Sequence, residues 1–383
     1  SASLLFIFLA VAFGFVNRWV GNKTISFIAI TVVGVVLMYY FVYLGTQIPL
    51  ILDYQIWVGV LLIYAFIASV TPVALLLQPR DYLNSYLLYG MMIAAVAGVI
   101  VADPQIQMST EVMPSSESLG YVFPVLFVTI ACGAVSGFHS LVASGTTSKQ
   151  LDKESDAKIV GFGGMLIESF LAIIAVGAVV ILSRQEYTDR LTIEGPVALF
   201  STGLGGMIAS LGLSETFAIG FVALTVSAFA LTTLDTCTRL ARFTLQEYFE
   251  DMPQPAAQAL AKNRYLSTLI VVILSILLLA SGEFSKLWPI FGSANQLLAA
   301  LALLTIGVWL IKKNISATFV TIPMFFMFTV TLASLGLFAW KNYQEAGYVL
   351  AGIAALLFVL AIALIVLAVQ SLKKEVKASE QTL

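Results

Sequence analysis

The groups in this chain that could do chemistry are few, and most of them stand inside long apolar runs. Glu168 lies within Met165-Leu166-Ile167-Glu168-Ser169-Phe170, one or two helical turns after Gly161, Gly163 and Gly164. A carboxylate in hydrocarbon must face a bundle interior, hold a proton or pair with a cation, because an isolated charge there is costly. It reads either as a proton-coupling acid or as a structural hydrogen-bonding one. His139 is the one histidine of the chain and is flanked by Ser136, Gly137 and Ser140. Imidazole ionises near neutral pH, so a place in a proton or substrate path stands beside plain hydrogen-bonded packing. A single histidine leaves nothing for bis-histidine haem ligation or an HExxH zinc site.

Asp235 and Arg239 are four residues apart, with Arg242 one turn on, an order that suits an intrahelical ion pair. They read as a gate or as a headgroup anchor and cap. Arg80-Asp81 carries the same two readings. Ser144-Gly145-Thr146-Thr147-Ser148-Lys149 offers successive amides, hydroxyls and an ammonium that suit a carboxylate. Its position is a cytoplasmic mouth, where a gate or a lipid-headgroup contact is equally in keeping. Helix breakers gather at Ser69, Thr71 and Pro72, at Gly133, Ser136 and Gly137, and at Pro289, Gly292, Ser293, Asn295 and Gln296. Irregular backbone at membrane depth is tolerated only against protein or a water-filled cavity, and half-helix ends form ion and substrate sites in secondary transporters. The same small residues also let helices approach closely.

What must position these groups is a set of helices in a bilayer. Of the 383 residues, 60% are hydrophobic and 10% charged, against roughly a quarter charged in soluble domains. A run of about 20 apolar residues crosses hydrocarbon as a helix, since only its internal hydrogen bonds satisfy the backbone there. Eleven runs qualify: 4–16, 25–44, 56–77, 86–101, 122–142, 161–183, 217–234, 265–279, 294–311, 317–340 and 347–372. Short cytoplasmic loops collect Lys and Arg, and the alternate loops defined by these runs divide fifteen to four, with Arg184, Arg190, Lys286 and Lys341 on the poorer side. That puts the C-terminus in the cytoplasm and Ser1 outside.

The linker 102–120 reads as a solvated external loop, and 196–213, apolar and glycine-rich but too short to span, as a re-entrant or interfacial element. Residues 246–262, with Pro253 and Pro255, read as a turn and a short surface helix, and 373–383 as a polar, frayed tail. The opening Ser1-Ala2-Ser3, ahead of an unusually short first run, reads as the continuation of a longer protein. Cys132 and Cys237 fall in or beside runs and offer neither a disulfide framework nor a CxxC metal site.

Several of these blocks resemble the carbon starvation protein A family of bacterial inner-membrane transporters. Arg80-Asp81-Tyr82-Leu83 looks like that family's PRDYL, and ACGAVSGFHSLVASGTTSKQL, from Ala131 to Leu151, is similar to its longest signature. GFGGMLIESF around Glu168, LDTCTRLARFTLQ around Asp235 and LWPIFGSANQLLAA around Asn295 also resemble family blocks. Cys237 departs from the family's DxGTR, and the family's N-terminal third, with its GAGPxxGP-type broken helix, has no counterpart here. The resemblance implies an inverted-repeat bundle of the LeuT/APC type and uptake of pyruvate in some members and peptides in others.

The expectation is an all-α polytopic membrane protein of about eleven transmembrane helices, some discontinuous, forming a single transporter domain over residues 1–383. It is a proton symporter for a small carboxylate nutrient, pyruvate or short peptides, taken up during carbon starvation across the bacterial inner membrane. Glu168 is the coupling acid and His139 its helper. Ser69, Thr71, Ser136, Gly137, Asn295 and Gln296 line the path, with broken helices near 69–72, 136–140 and 292–296. Arg80, Asp81, Ser144, Thr146, Thr147, Lys149, Asp235 and Arg239 form a gate or cytoplasmic mouth. The partners are the substrate, a proton and the lipid bilayer, with no nucleic acid, cofactor or metal. Rival classes are a channel, although no ring of acids or carbonyl motifs is visible, and an intramembrane serine hydrolase built on Ser136 or Ser144 near His139, although no G-x-S-x-G elbow occurs. No P-loop supports an ATP-driven pump.

Overall fold

With no water at membrane depth to take a backbone proton, apolar runs bond internally, and the computed structural model is accordingly helical. It describes residues 2–20, 24–48, 50–108, 114–116, 120–130, 135–280 and 284–380. The first helices are α1 (Ala2–Val20), α2 (Thr24–Gln47), α3 (Tyr54–Val70), α4 (Val73–Ala102), α5 (Val122–Ile130) and α6 (Gly137–Gly145). One turn of helix, α7 (Asp156–Lys158), leads through a π-helical turn, Ile159–Gly163, into α8 (Gly164–Val180). Then come α9 (Arg184–Glu194), α10 (Pro196–Ala209), α11 (Glu215–Glu250), α12 (Pro255–Lys262) and α13 (Arg264–Ala280). The last three are α14 (Phe284–Lys312), α15 (Thr318–Gln344) and α16 (Tyr348–Glu380). A two-residue antiparallel bridge, Ser115–Ser116 with Gly120–Tyr121, lies in the linker between α4 and α5.

Seven of the described helical segments are long and apolar enough to cross a membrane, eight if α12 and α13, bent by 92°, count as one span. The expected eleven are not all of that length. The runs at 4–16 and 56–77 give the shorter helices Ser3–Asn17 and Tyr54–Val70, and the run at 122–142 is divided between α5 and α6. Pro72 holds Thr71 in an extended conformation, so α3 stops there and residues 73–77 open α4 instead. The break expected at 292–296 is absent: α14 continues through Gly292 and Asn295 as one helix. Its small residues admit neighbours, with Gly292 against Val128 of α5. The tail is helical as far as Glu380, while Cys132 and Gly133, and the side chains of Lys286 and Pro289, lie outside the described residues.

The chain forms two compact units, one of residues Ser1–Thr110 and Phe170–Ile276, the other of Glu111–Ser169 and Leu277–Leu383. In the first, Phe6, Phe13, Leu83, Leu87, Leu204 and Phe221 pack in one buried core. The short glycine-rich α10 is seated within it by close backbone crossings. A Cβ on Gly203 would stand 2.5 Å from the Ala178 carbonyl oxygen, and one on Gly205 2.6 Å from Ile219. In the second unit, Ile290 and Leu297 of α14 meet Met327, Phe328 and Leu335 of α15 and Ala354 of α16.

Candidate functional site

In the first unit the charges meet at the turn between α3 and α4. Tyr64 lies about two turns before Thr71-Pro72 and Arg80 about two turns after, and the Arg80 guanidinium donates to the Tyr64 oxygen. At 1.5 Å per residue a straight helix would hold them about 24 Å apart, so the chain bends sharply at Thr71-Pro72, and both helices lie against α11. Arg80 is fully buried. Its Nη1 also donates to Asp235 Oδ2 on α11, and the Tyr64 hydroxyl donates to the same oxygen at 2.9 Å. Arg80 Nη2 is 3.6 Å from Asp81 Oδ1, which accepts from Thr232 Oγ1 at 3.1 Å. Asn84 Nδ2 donates to that hydroxyl at 3.0 Å.

The network is incompletely satisfied: Arg80 Nε, Asn84 Oδ1 and Asp235 Oδ1 have no hydrogen-bond partner. Removing one member of such a buried pair is expensive because the other charge stays behind.

Arg239 does not pair with Asp235 as the four-residue spacing led us to expect. Its Nη2 donates to the carbonyls of Ala68 and Thr71 at 2.6 and 2.7 Å, satisfying helix-end acceptors that α3 cannot bond itself. Arg80, Arg239 and Arg242 are therefore buried helix residues rather than loop charges, which leaves twelve cations to four in the topology count. Ser69 is fully buried and meets Thr268 of α13 at 3.3 Å, and the Thr71 hydroxyl donates to the Ile67 carbonyl at 2.7 Å.

In the second unit the broken fifth run forms its own polar contact. Asn295 Oδ1 accepts from the Phe138 amide at 2.7 Å, and its Nδ2 donates to Ser136 Oγ at 3.1 Å. The side chain thus does for the start of α6 what an N-cap residue does from within the chain. Gly137 permits this, since a Cβ there would collide with the Asn295 carbonyl and stand 2.6 Å from the Ala299 nitrogen. Beside them Gln296 is fully buried with both amide atoms unpartnered, as is the Thr331 hydroxyl.

His139 Nδ1 lies 3.5 Å from Glu168 Oε2, the two side chains being 53% and 37% exposed. The acid is partly exposed rather than enclosed, and the group it faces is the imidazole. A proton moving between imidazole and carboxylate would switch this pair between an ion pair and a neutral contact.

Farther along α6, the Thr146 and Lys149 amides bond backbone carbonyls and Ser144 Oγ donates to the Leu141 carbonyl at 3.2 Å. Thr147 and Lys149 bound a short 3₁₀ turn. No group of three or more potential metal ligands occurs among the described residues. Tyr64, Asn84, Thr232 and Thr331 escaped the sequence reading. The available signal for Tyr64 was its distance from Pro72, which matches that of Arg80 once the chain bends there.

A family model described as carbon starvation protein CstA matches residues 1–194 and 188–334. The peptide transporter CstA of Bacillus subtilis (strain 168) is 31% identical over 323 residues, 73% of this chain and 54% of that protein. The peptide transporter CstA of Mycobacterium tuberculosis (strain ATCC 25618 / H37Rv) is 34% identical over 290 residues, 59% of this chain and 37% of that protein. The pyruvate/proton symporter BtsT of Escherichia coli (strain K12) is 29% identical over 336 residues, 67% of this chain and 47% of that protein. The chain thus spans about half or less of the length of these relatives. No solved structure matches it.

Proposed function

The chain belongs to the carbon starvation protein CstA family, and from that premise we propose that it is a secondary active transporter, a proton symporter for pyruvate or short peptides. The observation that carries this reading is that its relatives are named as transporters of those two substrate kinds, one of them as a proton symporter. Glu168, 3.5 Å from His139, is the coupling acid. Ser136, Gly137, Asn295 and Gln296, with Ser69 and Thr71, line the path. The Arg80, Asp81, Asp235 and Arg239 network and the Ser144, Thr146, Thr147 and Lys149 turn serve as gates. The finer architecture in this reading is an inverted-repeat, LeuT-like bundle of eleven crossings in the bacterial inner membrane, with its C-terminus in the cytoplasm.

The test is uptake of labelled pyruvate and of a labelled dipeptide by proteoliposomes holding the full-length protein, with and without an inward proton gradient. Gradient-dependent accumulation of one substrate is expected, and flux of neither in either condition overturns the reading. In the same assay Glu168→Ala loses accumulation, while Glu168→Gln keeps substrate exchange and loses proton-driven concentration. Full coupled transport in both variants removes Glu168 from the mechanism.

A further inference from the structure

Arg242 is a buried arginine with no paired acid among the described residues. It is 5% exposed and its Nε has no hydrogen-bond partner. None of the ion pairs among the described residues includes it. The charges that act on it, Arg239 and Arg264, both repel it. Its guanidinium lies 4.5 Å from the Phe243 ring centroid, an attractive contact but no counter-charge. Burying a cation beside other cations is unfavourable, so a negative group close by would stabilise this arrangement.

Arg264 is the second cation of this region, and it is exposed. At the 92° elbow of α12 and α13 it lines an open groove of about 720 Å3 together with Gln258, Lys262, Asn263 and Tyr265, and no acid lines it. One atom of each side-chain amide there is already engaged. Asn263 Oδ1 accepts from the Tyr265 and Leu266 amides at 3.0 and 3.2 Å, and Gln258 Nε2 donates to the Glu250 and Met252 carbonyls at 2.9 and 2.8 Å. Arg264 Nη2 bonds the Tyr265 hydroxyl at 3.1 Å. The guanidinium's other donors and the Lys262 ammonium are what a ligand meets. Just beyond, Leu266, Leu269 and Ile273 are exposed along one face of α13, a surface for acyl chains.

We propose that this elbow binds a phosphate anion, carried on the headgroup of an acidic phospholipid. The phosphate bridges Lys262 and Arg264, and its charge relieves the repulsion on Arg242 behind them. Basic pockets between membrane helices hold anionic headgroups on this principle. The site is independent of what the protein transports.

The experiment titrates the full-length protein in detergent with phosphatidylglycerol, phosphatidylcholine and inorganic phosphate, reading the melting temperature. Phosphatidylglycerol raises it saturably and phosphatidylcholine does not. Lys262→Gln and Arg264→Gln, both at exposed positions, each weaken the apparent affinity about fivefold. An equal saturable effect of inorganic phosphate, weakened by the same variants, supports the anion site and overturns the lipid as its occupant. No shift with any ligand, or identical titrations in wild type and both variants, overturns the proposal.

Discussion

Asp235 is the residue on which the buried charges of the first unit depend. It is the shared acceptor of Tyr64 and Arg80, and replacing it by Asn leaves the Arg80 charge without its carboxylate. Asp235→Asn is expected to cost about 3–5 kcal/mol of stability, and the double variant Arg80→Gln/Asp235→Asn to recover part of that. Melting temperatures of the three proteins check it, and a double variant no more stable than the single would count against mutual compensation. The sequence made Asp235 and Arg239 conspicuous but suggested that they pair with each other. Spacing along one helix states which side chains can meet; it is silent on competitors, and here Arg80 from α4 and the open carbonyls at the end of α3 take one partner each.

At the scale of elements, the crossing of α6 and α14 makes a prediction that composition alone would not. Asn295→Ala removes the acceptor of the Phe138 amide and should cost about 1 kcal/mol, the usual value of a lost N-cap. Gly137→Ala should cost more, because the added methyl meets α14 backbone, whereas Gly206→Ala has open space around it and serves as the control. Thermal unfolding of the three variants should rank Gly137→Ala as the least stable and Gly206→Ala as near wild type; the reverse order would remove the close crossing. The breaks at Pro72 and Ser136 were legible because proline and a serine-glycine pair act on their own backbone. The supposed break at Gly292 to Gln296 was not, since a glycine may either end a helix or admit a neighbour, and only the presence of α5 and α6 decides which.

For the molecule as a whole, helical membrane character was plain from hydropathy, whereas the number of full-length crossings was not. The run at 56–77 qualified because it continued past Pro72 into the start of α4, whereas α3 itself has 17 residues and α10 only 14, both short of a full crossing. Discounting the three buried arginines still leaves the loop cations heavily on one side. A green fluorescent reporter fused after Leu383 should therefore fluoresce, and alkaline phosphatase at the same point should be inactive; the opposite pair of results would invert the topology. The interleaving of the two units carries a further consequence, for biosynthesis. Residues 111–169 belong with residues 277–383, yet 170–276 are made in between, which takes several seconds at roughly 5–20 residues per second. Throughout that interval α6 has been synthesised and Asn295 has not, so the contact that caps the start of α6 can form only after the whole of 170–276 has been made.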